Sequence, residues 1–174
     1  MSNDRPVSIE LHHEIEQFYF AEARLLDGYA LRQWLDTMVD PAIRYQVTST
    51  EERMRKDRRP AESGVLYVYD DSHAVLDMRI RQFESGLQTM LDPIQRLRRF
   101  VSNVSAFHAA EDGRFRVLSY GLVMRHRRLY EAEQVVFSRE DVLHRGEDGA
   151  LRIVSRRVSL DERVSRNKNL LFFF

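Results

Sequence analysis

Four long strands are predicted by residues 96–161, which read RLRRFVSNVSAFHAAEDGRFRVLSYGLVMRHRRLYEAEQVVFSREDVLHRGEDGALRIVSRRVSLD. Apolar and polar side chains alternate through most of this stretch, as they do in strands with one buried face. Glu111–Arg114 and Gly146–Gly149 are strong hairpin signals, and Arg127–Tyr130 is a weaker one. Strands this long must twist, so we expect bulges and a sheet that curves around other elements. The strands are expected at about 96–111, 114–128, 130–146 and 150–161.

The residues before this stretch predict mainly helices. Ser8 can cap a helix that runs to about Leu26, because apolar side chains follow it near helical spacing. Asp40-Pro41 is expected to stop a second, short helix, and Asp70–Ser72 to start a third helix that reaches Leu87. Short strands are expected at 42–50 and about 65–69, with a charged polar loop at 51–63 between them.

These elements predict one α+β domain over residues 1–174, with residues 1–7 as a flexible arm and 163–174 as an apolar tail. The N-terminal helices are the only available filler for a curved antiparallel sheet, so we expect them in its concave face. The large side chains expected to fill that space are Phe18, Phe20, Leu25, Trp34, Met38, Phe100, Val104, Phe107, Val117 and Leu122.

The composition limits the possible functions. Lysine plus arginine and aspartate plus glutamate both number 27, and this balance argues against a nucleic-acid binder, which usually carries a basic excess. Only Lys56 and Lys168 are lysines. The arginine excess suits fixed ion pairs at an interface, although GC-rich coding bias produces the same excess. No signal peptide or membrane-spanning stretch is visible, so we expect a cytoplasmic protein.

Four stretches, in this order and spacing, carry a resemblance to a known family. They are Glu22–Asp27 with Trp34-Leu35, Tyr69–Asp71 leading into Leu76–Ile80, Arg98–Val104, and Asn169–Phe174. Helices followed by a long curved sheet resemble the cone-shaped fold of ketosteroid isomerase, scytalone dehydratase and nuclear transport factor. Within that superfamily, nearly the whole chain resembles the small (beta) subunits of aromatic-ring-hydroxylating dioxygenases.

The resemblance implies a cystatin-like cone and a mainly structural subunit with no catalytic residues of its own. It implies a partner, the large (alpha) subunit, in a hexamer of three large and three small subunits. That partner is expected to hold a Rieske 2Fe–2S cluster and a mononuclear Fe(II), with electrons arriving from NADH through a reductase and usually a ferredoxin. Such a complex adds both atoms of dioxygen to an aromatic hydrocarbon and yields a cis-dihydrodiol.

The residues agree with this expectation about metals. A Rieske centre needs two cysteines and two histidines, and the chain has no cysteine. A non-haem iron triad needs two histidines and a carboxylate on one face. His12 and His13 are helix neighbours about 100° apart, and the other histidines show no ligand spacing. We therefore expect no metal or cofactor in this chain.

Two other functions remain open on the sequence. A stand-alone isomerase, dehydratase or hydrolase with this fold would need an acid or base in a pocket for a small hydrophobic ligand. Alternatively, the chain is a transport or scaffold module that dimerises through its sheet. The acid–base candidates are His108, Tyr120, His126, His144, Asp36 and Asp40.

Residues that could contact a partner subunit are tyrosines, arginines and the phenylalanine tail. Tyrosine and arginine are enriched among residues that dominate binding energy. The tail is apolar, and each large apolar side chain gains about 1.5–3 kcal/mol on burial, so the tail must pack on this chain or on a partner. The candidates are Tyr67, Tyr69, Arg79, Arg98, Arg99, Phe172, Phe173 and Phe174.

Overall fold

The structure is a computed structural model that describes residues 5–50, 56, 65–86, 94–111, 113–127, 131–161 and 172–174. Most of the predicted polar loop at 51–63 and part of the weak turn at 127–130 lie outside these residues. The elements, in chain order, are α1 (Ile9–Asp27), α2 (Leu31–Met38), β1 (Val39–Thr50), β2 (Val65–Ser72), α3 (His73–Glu84), β3 (Arg96–His108), β4 (Arg114–Arg127), β5 (Glu131–Arg145) and β6 (Leu151–Leu160).

The strands form one sheet in the order β2-β1-β6-β5-β4-β3. The four strands predicted from residue 96 onward are confirmed to within a few residues at each end. These four strands pair antiparallel, as predicted, whereas β1 runs parallel to β6, so the whole sheet is mixed. Period-two patterning reports which face is buried but carries no information about strand direction, so the sequence pattern could not reveal this pair.

The helices begin and end near the predicted positions. The Ser8 hydroxyl accepts a hydrogen bond from the Leu11 amide at 3.2 Å, which caps the first turn of α1. α2 ends at Met38, just before Asp40-Pro41. α3 starts at His73, because Asp70–Ser72 pair with β1 as the end of β2. It ends at Glu84, and the predicted end at Leu87 lies outside the described residues.

The sheet carries the expected bulges. One lies in β3 between Ser102 and Ser105, where Asn103 adopts φ 53°. Others lie in the β1–β2 pairing, between Val47 and Thr48, and in the β5–β6 pairing, between Val142 and Leu143. Bulges increase local twist, and α1 packs against the curved sheet at β3. His12 on α1 makes a 3.1 Å hydrogen bond with the main-chain oxygen of Val104.

The predicted filling of the cone is correct only in part. Trp34, Met38 and Val117 are buried, but Phe20 is 37% exposed and Phe100 is 52% exposed. Side chains of a strand point alternately to its two faces. Arg99 and Val101 point inward on β3 before the bulge, so Phe100 between them lies on the outer face. The Phe172–Phe174 segment is part of the buried core.

Residues 5–7 of the expected flexible arm lie along β3. The Val7 amide donates to the main-chain oxygen of Ala106 at 3.2 Å, and the His108 amide donates to that of Arg5 at 2.9 Å. Pro6 forms an isolated antiparallel bridge with Phe107. These bonds extend the edge of the sheet, so residues 5–7 do not form a flexible arm. Residues 1–4, the rest of the predicted arm, lie outside the described residues.

Gly121 on β4 provides a test of inner-face packing. It lies directly opposite Phe137 on β5, and a Cβ atom added at Gly121 would stand 2.1 Å from the Cζ atom of that ring. We expect Gly121→Ala to destabilise the fold by about 1–3 kcal/mol, because the buried ring would have to move. Urea denaturation measures the effect. Phe137→Leu in the same chain should recover part of the loss, and strictly additive effects would contradict this explanation.

Candidate functional site

The interior of the cone contains a fully buried arginine. Arg156 on β6 has 0% exposure, and all five of its guanidinium N–H groups have acceptors. It forms two hydrogen bonds with Asp141 on β5, at 3.0 and 2.8 Å, and two with Glu22 on α1, at 2.8 and 3.0 Å. The fifth goes to the main-chain oxygen of Phe174 at 2.5 Å. Arg156 thus joins a helix, the sheet and the tail segment.

Arg139 on β5 completes this cluster with a second positive charge. Its Nη1 atom donates to Glu22 at 3.3 Å, and its Nε atom donates to the Ser119 hydroxyl at 3.2 Å while lying 3.5 Å from Asp141. Its guanidinium stacks over the Tyr19 ring at 4.4 Å. Two arginines therefore balance two carboxylates, which makes the burial of four charged groups tolerable.

Asp141 and Tyr19 are both engaged by hydrogen bonds inside this cluster. Burial, the largest effect, favours the neutral carboxyl of Asp141, but the guanidinium groups of Arg156 and Arg139 outweigh it and hold its pKa below the ordinary value. Burial and the nearby Asp141 charge raise the pKa of Tyr19 well above its ordinary value. The phenol therefore stays protonated, and it donates to Asp141 at 3.0 Å. The Trp34 indole donates to Glu22 at 2.9 Å.

The tail segment Phe172–Phe174 is held by side chains of the cone. Arg99 on β3 donates from Nε and Nη2 to the main-chain oxygen of Phe173, at 3.2 and 2.6 Å, and from Nη1 to Asp27 at 2.5 Å. The Tyr45 hydroxyl accepts from the Phe174 amide at 2.7 Å. It also donates to the main-chain oxygen of the same residue at 3.4 Å.

The three phenylalanine rings are buried among other aromatic rings. The Phe173 ring centroid lies 5.1 Å from that of Trp34 and 6.2 Å from that of Phe83, and the Arg79 guanidinium stands 4.7 Å above its face. The Phe174 ring meets Phe137 edge-on at 5.1 Å. Aromatic pairs and cation–π contacts at these distances add to the gain from burial.

Six of the eight predicted interface candidates meet at this segment. Tyr69 lies beneath the Arg79 guanidinium at 4.2 Å, and Arg79 also pairs with Asp71 at 2.5 Å. Arg99 and Phe172–Phe174 make the contacts given above. The other two candidates, Tyr67 on β2 and Arg98 on β3, are exposed. The structure therefore separates the candidates into an internal group and a surface pair.

The acid–base candidates lie elsewhere. Tyr120 and His126 are exposed on β4, and the His108 ring packs against Phe115 at 5.9 Å. Asp36 is exposed on α2. Asp40 and His144 form one pair, with 2.6 Å between Oδ2 and Nε2.

The Asp40 carboxyl is held in its charged form by its neighbours. Burial favours its neutral form, but the Ala42 amide and His144 outweigh burial and hold the pKa of Asp40 below its ordinary value. The amide of Ala42 donates to Oδ1 of Asp40 at 2.7 Å. This arrangement supports the turn from α2 into β1 and leaves the carboxylate fully engaged.

Sequence analysis missed the interior ion cluster, although the chain carries a signal for it. Glu22 interrupts the buried stripe Ile15–Tyr19–Leu26 of α1. Arg139 and Asp141 occupy inward positions of β5, in register with Phe137 and Leu143. Opposite charges at inward positions of adjacent elements indicate a buried ion pair.

A groove of about 1000 Å³ lies between α2 and α3. Leu31, Ile80 and Phe83 form its apolar wall, and Arg32 lies at its rim. Arg32 pairs with Asp77 at 2.5 Å and with Glu84 at 3.2 Å, and the exposed Asp36 also lines the groove. Within the described ranges, no three His, Cys, Asp or Glu residues are placed to hold a metal ion. No helix there is long and apolar enough to cross a membrane.

Comparisons with known proteins agree with this geometry. A family model described as the ring hydroxylating beta subunit matches residues 21–167. A chain of naphthalene 1,2-dioxygenase, solved with indole in its active site, is 30% identical with a TM-score of 0.89. That match covers 97% of this chain and 88% of the other.

Two further structures share the fold at lower identity. The beta subunit of benzoate 1,2-dioxygenase from Burkholderia mallei is 17% identical with a TM-score of 0.66, over 97% of this chain and 99% of that one. A cystatin-like protein of unknown function from Nostoc punctiforme is 14% identical with a TM-score of 0.54, over 90% or more of both chains (91% and 97%). These matches confirm the predicted α+β, cystatin-like cone.

Proposed function

Because this chain belongs to the family of ring-hydroxylating dioxygenase beta subunits, we propose that it is the mainly structural small subunit of an oxygenase that converts an aromatic hydrocarbon to a cis-dihydrodiol. The filled interior of the cone carries the structural part of this proposal. Arg156, Glu22 and Asp141 satisfy one another, and Phe172–Phe174 occupy the space where a substrate pocket would lie. No catalytic residue of the oxygenase is assigned to this chain.

The redox groups belong to the partner in this proposal. The chain has no cysteine, so it cannot supply the two thiolates of a Rieske cluster. The large subunit holds that cluster and the mononuclear Fe(II), and three large and three small subunits form a hexamer. Electrons come from NADH through a reductase and a ferredoxin, and the whole system works in the cytoplasm. The substrate class follows naphthalene 1,2-dioxygenase, whose name states the hydrocarbon that it oxidises.

Co-expression with a Rieske-type large subunit of the same host tests the proposal. The expected product is a brown, iron-containing complex with equal numbers of the two chains by size-exclusion chromatography with light scattering. With reductase, ferredoxin and NADH it should incorporate both atoms of ¹⁸O₂ into naphthalene or a related hydrocarbon. The large subunit alone is the control. If the small chain elutes by itself as a dimer that retains a steroid-sized ligand, the stand-alone alternative is supported instead.

The exposed pair Tyr67 and Arg98 is proposed to contact the partner. Tyr67 is 59% exposed beside the exposed Leu66, so the edge strand β2 presents apolar surface to its surroundings. We expect Tyr67→Glu to weaken assembly by about 2 kcal/mol or more, which is roughly 30-fold in affinity. Light scattering over a dilution series measures the assembled fraction.

The control for this substitution is Ile9→Glu, which adds the same charge at the exposed start of α1. Both variants should melt like the parent chain, because neither side chain is part of the core. Equal assembly of the Tyr67→Glu variant and the parent would remove Tyr67 from the interface.

A further inference from the structure

The Phe172–Phe174 segment is bound by the cone in the way that a protein binds a short peptide. β6 ends at Leu160, and the segment is not a strand of the sheet. Among the described residues, its polar contacts come from three side chains, Arg99, Tyr45 and Arg156, which reach its main-chain amide and oxygens. Such contacts depend on the segment's backbone and rings, not on its covalent connection to β6.

The side chains around the segment make contacts that aromatic rings favour. Arg79 covers one face of the Phe173 ring at 4.7 Å, and Trp34 packs against it at 5.1 Å. Phe137 meets the edge of the Phe174 ring at 5.1 Å. Cation–π and edge-to-face contacts require a ring, so an aliphatic side chain of the same volume would lose them.

Carboxylates of the domain itself orient the polar groups of the pocket. Asp27 holds the Arg99 guanidinium at 2.5 Å, and Glu22 and Asp141 hold that of Arg156. Arginines that are already oriented by carboxylates lose little side-chain freedom on binding, which favours affinity. A receptor site whose donors are held by the domain itself does not need the ligand to be attached to it.

We infer that the interior of the cone is a binding site for a short peptide with consecutive aromatic residues. In this chain residues 172–174 occupy the site, and the site accepts a separate aromatic peptide once this segment is detached. This binding capacity goes beyond the proposed structural role, and it does not depend on the large subunit or on oxygenase activity.

A nicked full-length chain tests the inference. A protease site is placed between Asp161 and Phe172, which are separated by ten residues of sequence (162–171), and the folded protein is cut there. A fluorescent peptide with the sequence of residues 169–174 is then added, and anisotropy follows its exchange for the detached segment. We expect saturable binding at one peptide per chain, with no binding to the uncut protein. The same peptide with its three phenylalanines changed to serine should not bind.

Two arginines of β3 supply a matched pair of variants. Arg99→Lys removes the two hydrogen bonds to the main-chain oxygen of Phe173, and we expect it to weaken peptide binding on the order of 10- to 100-fold. Arg96→Lys changes an exposed residue of the same strand and should bind like the parent. Circular dichroism confirms that each nicked variant is folded.

Three results would overturn the inference. A nicked protein that stays folded and binds the aromatic peptide no better than the serine peptide has no such site. A nicked protein that unfolds and is not restored by excess peptide cannot accept a separate segment. Equal binding to cut and uncut protein would place the peptide on the outer surface.

Discussion

Replacing Arg156 with methionine is expected to lower the free energy of unfolding by about 3–5 kcal/mol. The substitution leaves Glu22 and Asp141 buried with Arg139 as their only basic partner in the cluster, and it removes a donor to the tail segment. Unpaired charges in a low-dielectric interior are among the most destabilising changes known for folded proteins. Urea denaturation, followed by circular dichroism, measures the loss.

Arg157→Met is the matched control, because Arg157 is the next residue of β6 and is exposed. Its effect should lie within about 0.5 kcal/mol of zero. Adding Asp141→Asn to Arg156→Met should restore part of the stability, since Glu22 and Arg139 then remain as one balanced ion pair. If Arg156→Met and Arg157→Met have equal effects, the buried cluster does not support the fold as described.

Replacing Phe173 with alanine is expected to cost about 3–5 kcal/mol, as is usual for a buried phenylalanine. The ring is 1% exposed and lies between Trp34, Phe83 and Arg79, so its removal leaves a cavity and ends the cation–π contact. Trp34 is the single tryptophan of the chain, and its fluorescence reports directly on this position. Thermal denaturation gives the change in stability.

Phe100→Ala is the control for Phe173→Ala. Phe100 is 52% exposed on the outer face of β3, so its truncation should change stability by much less. If the emission maximum and intensity of Trp34 are the same in Phe173→Ala as in the parent chain, the Phe173 ring does not pack on Trp34. A larger loss of stability for Phe100→Ala than for Phe173→Ala would contradict the placement of Phe100 on the outer face of β3.

The ion cluster and the tail segment together fill the interior of the cone. A curved sheet of long strands leaves an interior that the helices α1–α3 do not fill by themselves. Arg156 bridges the cluster to Phe174, so the charged and aromatic parts of the filling are joined by one side chain. We expect their effects on stability to be coupled, which a double-mutant cycle of Arg156→Met and Phe173→Ala would measure.

The amino-acid sequence alone determined the elements and the family. Three local signals predicted the elements: period-two patterning from residue 96, the glycines of the hairpins and the capping Ser8. Each depends on neighbouring residues only, so it can be interpreted without knowing the tertiary contacts. The absence of cysteine excluded a Rieske cluster for the same reason, since ligand chemistry is a property of residue types.

Only the tertiary structure decided what fills the cone. The sequence could not show that β1 runs parallel to β6, that Phe100 faces outward, or that Arg156 reaches Glu22 across 134 positions of the chain. Strand direction, bulge position and long-range pairing arise from the energy of the whole packed arrangement, and no short window of residues contains them. The tail was recognised as apolar from its sequence, but whether it packs in its own chain is set by the shape of the interior that receives it.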